Sequence, residues 1–399
     1  MRSTSLLLFT SLVFSSPLAT SAADAPASPK SLPGVHDAMK AFVDKQEVSG
    51  AVTLVADKAG VLHLDAVGLA DIAGNKPMAP DAMMWIASMT KLLTGSAVMM
   101  LQDEGKLSVD DPVAKYIPEF ANVTVGKKDG KPANLTLKHL MTHTSGLKEP
   151  ANDVAKSAKV LADLIPAIVA QPTSFEPGTK WSYSQSGINT LGRIIEVVGG
   201  KSYPDFLDER LIKPLGMTDT TFYPSAEQAA RIAKSYKRDK DALAETPLGF
   251  LMGRSPTDRE RYPLANGGLF STAADYAKFL RMVLNKGTLD GKTYLSAKAV
   301  EQMTSDQTGA VPAGFVPGSA WGLTWSLVKE PQGVTRSLSA GSHGHGGAYG
   351  TQGWIDPQRG LVYVLMIQRS DFKNQGGSDG SPVRQAFQDA AAAALAGAK

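Results

Sequence analysis

Cysteine is absent from the 399 residues. Its absence excludes disulfide bridges, thiolate-bound metal sites and a cysteine nucleophile. Any nucleophile must therefore be a serine, a threonine, a lysine, a tyrosine or a carboxylate. Glycine and proline, at 38 and 24 residues, are too few for a collagen-like or low-complexity chain.

An excess of charge of one sign is also missing. The 41 basic and 38 acidic residues leave a formal net charge of +3, and lysine and arginine form no long run. Nucleic-acid binding needs clustered cations because they displace the counterions of the phosphates. The composition therefore argues against a nucleic-acid partner.

Long apolar runs are missing beyond the first two dozen residues. A membrane-spanning helix needs about 20 apolar residues, so we expect no stable membrane span. The chain starts with Arg2, the mostly apolar Leu6–Phe14 and the small residues Ala19–Ala23. This order predicts a secretory signal peptide over residues 1–23, with an uncleaved anchor as the alternative. An exported chain without disulfides is expected in the bacterial periplasm or outside the cell.

Hydrophobic periodicity predicts strands near both chain ends and helices between them. Helices are predicted over Val35–Gln46, Met89–Glu104, Leu161–Ala170, Ile188–Val198, Tyr203–Leu211, Ala273–Asn285 and Val383–Ala396. Strands are predicted over Ala51–Ala56, Val61–Ala66, Trp321–Val328, Ala348–Ile355 and Leu361–Gln368. This order indicates an α+β fold, in which both chain ends build one antiparallel sheet flanked by helices. We expect a sheet subdomain of residues 24–107 and 265–399, with a mainly helical subdomain, residues 108–264, inserted into it.

The first chemical signal is Ser88-Met89-Thr90-Lys91, at the start of the predicted buried helix. Residues three apart on a helix share a face, so the serine hydroxyl and the lysine amine are expected to meet. A serine becomes a strong nucleophile when a base takes its proton. Lys91 is such a base if apolar surroundings and the helix N-terminus favour its neutral form. The alternative is a helix-capping serine beside a solvated lysine.

Two further segments strengthen the catalytic interpretation. Trp181–Ser186 follows a Pro-Gly turn and places Tyr183 on a loop. A phenol beside a lysine is expected to ionise below its ordinary pKa of about 10 and to relay protons. Ser342–Tyr349 is rich in glycine, which lets a ligand approach the main chain closely. Residues Phe250, Leu251 and Met252 are expected to line an acyl-binding pocket.

Five ordered motifs carry a resemblance to a known family. They are Ser88–Lys91, Leu137–Leu147, Pro177-Gly178 before Tyr183-Ser184-Gln185, Asn266–Thr272 and His345-Gly346-Gly347. Together they resemble the serine β-lactamase/penicillin-binding-protein superfamily, most of all its class C-like branch and the family VIII carboxylesterases. The resemblance covers about residues 35–370 and implies one catalytic domain with a β-lactamase/transpeptidase-like fold.

The resemblance also implies roles for individual residues. Ser88 would be the acylated nucleophile, Lys91 its general base and Tyr183 the second proton carrier. The main-chain N–H groups of Ser88 and Ala348 would form the oxyanion hole. Further positions at the substrate are implied for His345, Gly346, Gly347 and Gln185. The resemblance implies neither a cofactor nor a metal.

Two departures from the family pattern bear on the substrate. His345-Gly346-Gly347 stands where many members carry Lys-Thr-Gly or His-Thr-Gly, and histidine is mostly neutral at pH 7. Gln185 replaces the usual asparagine of Tyr-x-Asn. Both changes weaken recognition of a carboxylated amide, so we expect a secreted or periplasmic carboxylesterase acting on small-molecule, short-chain acyl esters. The alternatives are a D-amino-acid peptidase or β-lactamase, or an inactive binding protein.

Other motifs are interpreted without catalysis. Gly376–Gly380 matches the nucleophile elbow of α/β-hydrolases, but in that fold a histidine follows the serine, and His345 is the last histidine here. His343 and His345 lack a third metal ligand. His139 and His143 are expected to fix a turn. Glu176, upstream of Tyr183, is interpreted as structural.

Overall fold

The computed structural model of the protein describes Met1 and residues 31–396. The body of the predicted signal peptide, residues 2–23, lies outside the described residues. Among the described helices, none has the length and apolar character needed to cross a membrane.

The described part of the chain is built around an eight-stranded sheet. Its strands are β1 (Gly50–Asp57), β2 (Val61–Asp71), β3 (Lys76–Pro77), β4 (Ser319–Trp321), β5 (Ser326–Val328), β6 (His343–Gly346), β7 (Gln352–Asp356) and β8 (Leu361–Met366). Their order across the sheet is β4-β5-β6-β7-β8-β1-β2-β3, and all neighbours are antiparallel. The two chain ends join where β1 pairs with β8, from Val52↔Met366 to Asp57↔Leu361. The predicted antiparallel sheet from both chain ends is confirmed.

The described residues also form eleven α-helices. They are α1 (Val35–Asp44), α2 (Thr90–Asp103), α3 (Leu137–Met141), α4 (Asn152–Ser157), α5 (Ile165–Val169), α6 (Gln185–Gly199), α7 (Tyr203–Leu207), α8 (Ala226–Ala229), α9 (Ala273–Leu284), α10 (Ala297–Met303) and α11 (Pro382–Ala396). Short strand pairs join Met84–Trp85 to Phe270–Ser271 and Thr288–Leu289 to Lys292–Thr293. A third small sheet joins Tyr236–Asp239, Ala242–Glu245 and Arg369–Ser370. The division into subdomains at residues 107/108 and 264/265 stays a prediction.

Two hydrophobic cores cover the two faces of the sheet. Side chains alternate along a strand, so Val52 and Leu54 of β1 enter the core that contains α2 and α9. Val55 enters the core that contains α1 and α11. Burial on both faces explains why β1 is mostly apolar and does not alternate between apolar and polar residues. It also places α2, which follows Ser88, in the centre of the protein.

Some predicted boundaries were wrong for identifiable reasons. The predicted strand Ala348–Ile355 begins only at Gln352, because residues 347–351 form the turn of the β6–β7 hairpin. The predicted strand Trp321–Val328 is split into β4 and β5 by a turn in which Thr324 has φ 71°. Helix α7 ends at Leu207 and continues as a π-helical turn, Asp208–Ile212, rather than as α-helix to residue 211. These differences leave the sheet and its order unchanged.

Candidate active site

Ser88 lies in a tight turn directly before α2. Residues Ala87–Met89 form a 3-10 turn, and Thr90 begins the α-helix. Ala87 has φ 45°, a left-handed conformation that is strained for any residue other than glycine. The neighbours of this turn are fixed, since Ile86 N–H donates to Leu269 at 3.0 Å and Tyr276 Oη donates to the Met89 carbonyl at 2.9 Å. The turn leaves Ser88 partly exposed in a cleft.

Lys91 is completely buried one helical turn after Ser88. Its Nζ lies 3.1 Å from Ser88 Oγ, 2.9 Å from Gln185 Oε1 and 2.6 Å from the Asn266 carbonyl oxygen. Amide and carbonyl oxygens are acceptors only, so both accept hydrogen bonds from Lys91 Nζ. When the amine is neutral, these two bonds use both of its N–H groups and its lone pair faces the serine hydroxyl. Burial lowers the pKa of Lys91 well below its ordinary value, although the charge of Glu149 raises it.

Gln185 connects the lysine to the rest of the site. Its Oε1 accepts from Lys91 Nζ and also from Asn266 Nδ2, at 2.7 Å. The two donors fix the orientation of the amide, and the side chain lines the cleft. The glutamine therefore reaches the lysine despite its additional methylene.

Tyr183 is the third side chain at this position, next to Ser88 and Lys91. Lys91 Nζ lies over the Tyr183 ring, 4.7 Å from its centroid. Burial raises the pKa of Tyr183 well above its ordinary value, although the nearby Ser88 hydroxyl lowers it. The expectation that Tyr183 ionises below its ordinary pKa was therefore wrong. The cause is the surrounding aromatic cluster, in which Phe315 lies 4.8 Å and Trp321 6.1 Å from the Tyr183 ring, centroid to centroid.

His345 contacts Tyr183 from the adjacent strand β6. Its Nδ1 lies 2.6 Å from the Gly346 carbonyl oxygen, which accepts only, so Nδ1 carries the proton. Burial, together with Lys91, lowers the pKa of His345 to about 3. The neutral ring therefore presents Nε2 as an acceptor, and Tyr183 Oη donates to it at 3.3 Å. His345 brings no positive charge to the cleft at neutral pH.

The predicted oxyanion-hole donors are Ser88 and Ala348. Both residues line the cleft, and neither main-chain N–H donates to another group of the described residues. Gly347 lets the chain before Ala348 pack closely against the residues before Ser88. A Cβ at Gly347 would lie 2.6 Å from the Ile86 carbonyl oxygen and 2.1 Å from Thr351 Oγ1. Gly346 lines the cleft, whereas Gly347 packs behind it. The oxyanion assignment itself stays a prediction.

Glu149 is an important residue that sequence reasoning missed. Its Oε1 accepts from Gln185 N–H at 2.7 Å and Ser184 Oγ at 3.1 Å. Its Oε2 accepts from the main-chain N–H and Oγ of Ser186, at 2.9 and 2.8 Å. The carboxylate thus binds the N-terminus of α6, where negative charge is favourable. It fixes the segment that carries Tyr183 and Gln185, and no local motif joins it to that segment.

The cleft has a volume of about 380 Å³. Its lining is Ser88, Tyr183, Gln185, Phe315, His345, Gly346, Ala348, Phe372, Gly376, Gly377, Ser378 and Asp379. The predicted lining by Phe250, Leu251 and Met252 was wrong, since Phe250 stacks on Trp85 with ring centroids 4.4 Å apart. The Gly376–Gly380 segment, which was interpreted from the sequence without catalysis, contributes residues 376–379 to one wall of the cleft.

The remaining histidines and Glu176 have structural contacts. His139 and Thr136 cap α3 reciprocally. His143 Nδ1 accepts from Ser184 N–H at 3.2 Å, so its interpretation as a turn-fixing residue is confirmed. His343 Nδ1 contacts the Gly341 carbonyl oxygen at 2.9 Å. Glu176 forms an exposed ion pair with Lys131. Within residues 31–396, no three histidine, aspartate or glutamate side chains are grouped to hold a metal ion.

Known proteins are similar to this chain in sequence and in fold. The family model described as Beta-lactamase matches residues 35–386. Protein Rv1367c of Mycobacterium tuberculosis is 33% identical over 366 residues, which cover 84% of this chain and 90% of that protein. Esterase EstB of Burkholderia gladioli is 29% identical over 375 residues, which cover 87% and 91%.

A solved structure extends the likeness to three dimensions. EstCE1, a hydrolase with promiscuous acyltransferase activity, matches with a TM-score of 0.76 and 21% sequence identity, over 89% of this chain and 97% of that chain. At this identity the likeness establishes the fold, and the family match establishes the relationship. The chain belongs to the beta-lactamase family of serine hydrolases.

Proposed function

We propose that the protein is a carboxylesterase that hydrolyses short-chain acyl esters through an acyl-enzyme on Ser88. The observation that carries the proposal is the grouping of Ser88 Oγ, the buried Lys91 Nζ 3.1 Å from it and the Tyr183 ring 4.7 Å from that amine. A buried amine with a free lone pair 3.1 Å from a hydroxyl is a general base poised for proton transfer.

The reaction follows from these contacts in two steps. Ser88 Oγ attacks the ester carbonyl carbon while its proton passes to Lys91 Nζ. The resulting oxyanion is stabilised by the main-chain N–H groups of Ser88 and Ala348. The carbon–oxygen bond to the alcohol then breaks, and the alcohol oxygen takes the phenol proton of Tyr183, which Lys91 replaces. Water hydrolyses the acyl-enzyme by the same transfers in reverse, which releases the acid and restores Ser88.

The surroundings of Ser88 favour esters over β-lactams and D-alanyl peptides. Those substrates carry a carboxylate, which cationic and hydroxyl side chains bind most strongly. Here the corresponding strand offers a neutral His345 and, at Gly346, no hydroxyl. An ester also has a better leaving group than an amide, so its cleavage depends less on exact protonation.

Intact-mass spectrometry after mixing with substrates tests this proposal. The panel comprises p-nitrophenyl butyrate, benzylpenicillin, a D-Ala-D-Ala peptide and a fluorophosphonate that labels reactive serines, with Ser88→Ala as the control. We expect a butyryl adduct on the Ser88 peptide and turnover of the ester that falls at least 10³-fold in Ser88→Ala. A penicilloyl adduct formed as efficiently as the butyryl adduct would favour a penicillin-binding role. No adduct from any substrate or from a fluorophosphonate would leave an inactive binding protein.

We also propose that the chain is exported and that the first 23 residues are removed. The support is the order of charge, apolar stretch and small residues at the N-terminus. N-terminal sequencing of protein from the periplasm and the medium tests it. A mature chain that begins near residue 24 is expected, and an intact N-terminus in the cytoplasm would contradict it.

A further inference from the structure

Asp379 is a buried carboxylate in the wall of the cleft. The Asp379 side chain is 11% exposed, and the residue lies within the Gly376–Gly380 segment, shortly before α11 begins at Pro382. A Cβ at Gly346 would lie 2.6 Å from Asp379 Oδ1. The carboxylate therefore covers the face of Gly346, the residue that follows His345.

The surrounding segment fixes Asp379 in this position. Arg384 Nη1 donates to the Asp379 main-chain oxygen at 2.7 Å and lies 3.7 Å from Oδ1. The Arg384 side chain is 1% exposed, and its guanidinium stacks on the Trp354 ring, 4.0 Å from the ring centroid. Gln352 Nε2 donates to the Ser378 carbonyl oxygen at 3.0 Å. Asp379 lines the cleft and Arg384 does not, so the cation lies behind Asp379 as seen from the cleft.

The other described residues that line the cleft bring no charge to it. They are aromatic, hydroxyl, amide or small, apart from His345, whose ring is neutral. Burial raises the pKa of Asp379 to about 6, while Arg384 and the Gly346 N–H lower it. The carboxylate is therefore mostly ionised at neutral pH.

The contacts of Tyr183 indicate which part of an ester approaches Asp379. In the proposed reaction the alcohol oxygen receives its proton from Tyr183, so the alcohol lies at the Tyr183 hydroxyl. That hydroxyl contacts His345 Nε2, and the next residue along β6 carries Asp379 against its face. The alcohol portion of the substrate therefore extends toward the carboxylate.

We propose that Asp379 determines the specificity for the alcohol portion of the ester, favouring an alcohol with an ammonium group and disfavouring one with a carboxylate. This inference rests on the proposed esterase function. An opposite charge in a site of low dielectric is attracted and a like charge repelled, and the buried Arg384 reduces both effects without reversing them, since it is farther from the substrate.

Three butyryl thioesters of similar size provide the test. Their leaving groups are thiocholine, the neutral 3,3-dimethylbutanethiol and 3-mercaptopropanoate. Thiol release is followed with a disulfide reagent, to which the protein does not contribute because it has no cysteine. Each kcat/KM is divided by that of the neutral thioester, so that general effects on turnover cancel.

We expect the wild type to prefer the cationic over the anionic thioester, and Asp379→Asn to reduce that preference about tenfold. Asp379→Glu should retain the preference. Asp389→Asn is the matched control, because Asp389 lies on α11, the helix that carries Arg384, and pairs with Arg336 outside the cleft lining. Circular dichroism verifies folding, and Asp379→Ser replaces a variant that does not fold.

The possible outcomes distinguish a failure of the Asp379 proposal from a failure of the proposed esterase function. Equal relative rates for the cationic and anionic thioesters in the wild type, or a preference unchanged in a folded Asp379→Asn, would overturn the role of Asp379 and leave the esterase intact. No hydrolysis of any thioester and no acylation of Ser88 would overturn the proposed function, and this inference with it.

Discussion

The substitution Glu149→Gln tests two roles of Glu149: its hydrogen bonds position residues 184–186, and its charge raises the pKa of Lys91. The carboxylate accepts four hydrogen bonds from residues 184–186. A glutamine retains one acceptor oxygen and places an NH2 group against the donors of Ser186. Two charge-assisted bonds are lost, each contributing about 1.5 kcal/mol or more. Because Glu149 is exposed, water replaces part of them, and we expect the free energy of unfolding to fall by about 1–2 kcal/mol.

The same variant is expected to change catalysis in two measurable ways. Looser placement of Tyr183 and Gln185 should lower kcat for a neutral ester about tenfold, since small misplacements of reacting groups are costly. The charge of Glu149 raises the pKa of Lys91, so its removal lowers that pKa further. Lys91 acts as a base only when unprotonated. The acid limb of the kcat/KM profile should therefore move to lower pH.

Full pH profiles of the wild type, Glu149→Gln and Glu176→Gln provide the assay. Glu176 is a suitable control because it is an exposed glutamate paired with Lys131 and lies outside the cleft lining. Glu176→Gln should leave kcat and the acid limb unchanged. An acid limb that stays in place, or moves to higher pH, in Glu149→Gln would refute the coupling between Glu149 and Lys91. A reduced kcat alone would indicate a purely structural role.

Three further predictions follow from the same geometry. Tyr183→Phe keeps the ring over Lys91 but removes the proton carrier, so kcat for esters should fall by about 10²-fold or more; near-normal turnover would remove Tyr183 from the reaction. In the wild type, kcat/KM should rise with pH through a midpoint well below 10.5, because burial lowers the pKa of Lys91 from that value, and a midpoint at or above it would contradict a neutral lysine. Gly347→Ala places a Cβ 2.6 Å from the Ile86 carbonyl oxygen, so calorimetry should show a less stable protein and kcat should fall about 10²-fold as the oxyanion donors separate. Gly60→Ala, where a Cβ meets open space, is the control, and equal effects of the two alanines would refute the packing argument.

The elements that periodicity predicts well are those whose side chains carry the pattern. The prediction of β1, β8 and the helix after Ser88 succeeded because these elements are buried and consist mostly of apolar residues. Strand β6 was missed because its residues are histidine and glycine, which are weak strand formers. It forms a strand because β7 and β5 supply its hydrogen-bond partners on both sides.

In the candidate active site, too, some contacts follow from sequence spacing and others only from the packing of distant segments. Ser88 and Lys91 are three residues apart, so helix geometry alone brings them together. The contacts of Glu149 and Asp379 depend on how distant loops pack, and neither lies in a motif that names its partner. The pKa of Tyr183 was predicted in the wrong direction because the prediction considered only the effect of a nearby lysine, Lys91. The burial by Phe315 and Trp321, which raises that pKa, arises only in the folded chain.

The pairing of β1 with β8 determines when the protein can fold during synthesis. Val52 pairs with Met366, so a strand made at the start waits for a partner made about 300 residues later, and closing so long a loop is costly in entropy. Until then the growing chain on the ribosome exposes the open edge of an apolar strand, which invites pairing with other chains. Strand β8 is thus needed before β1 is paired on both sides, and we expect nascent chains truncated before residue 361 to depend on chaperones.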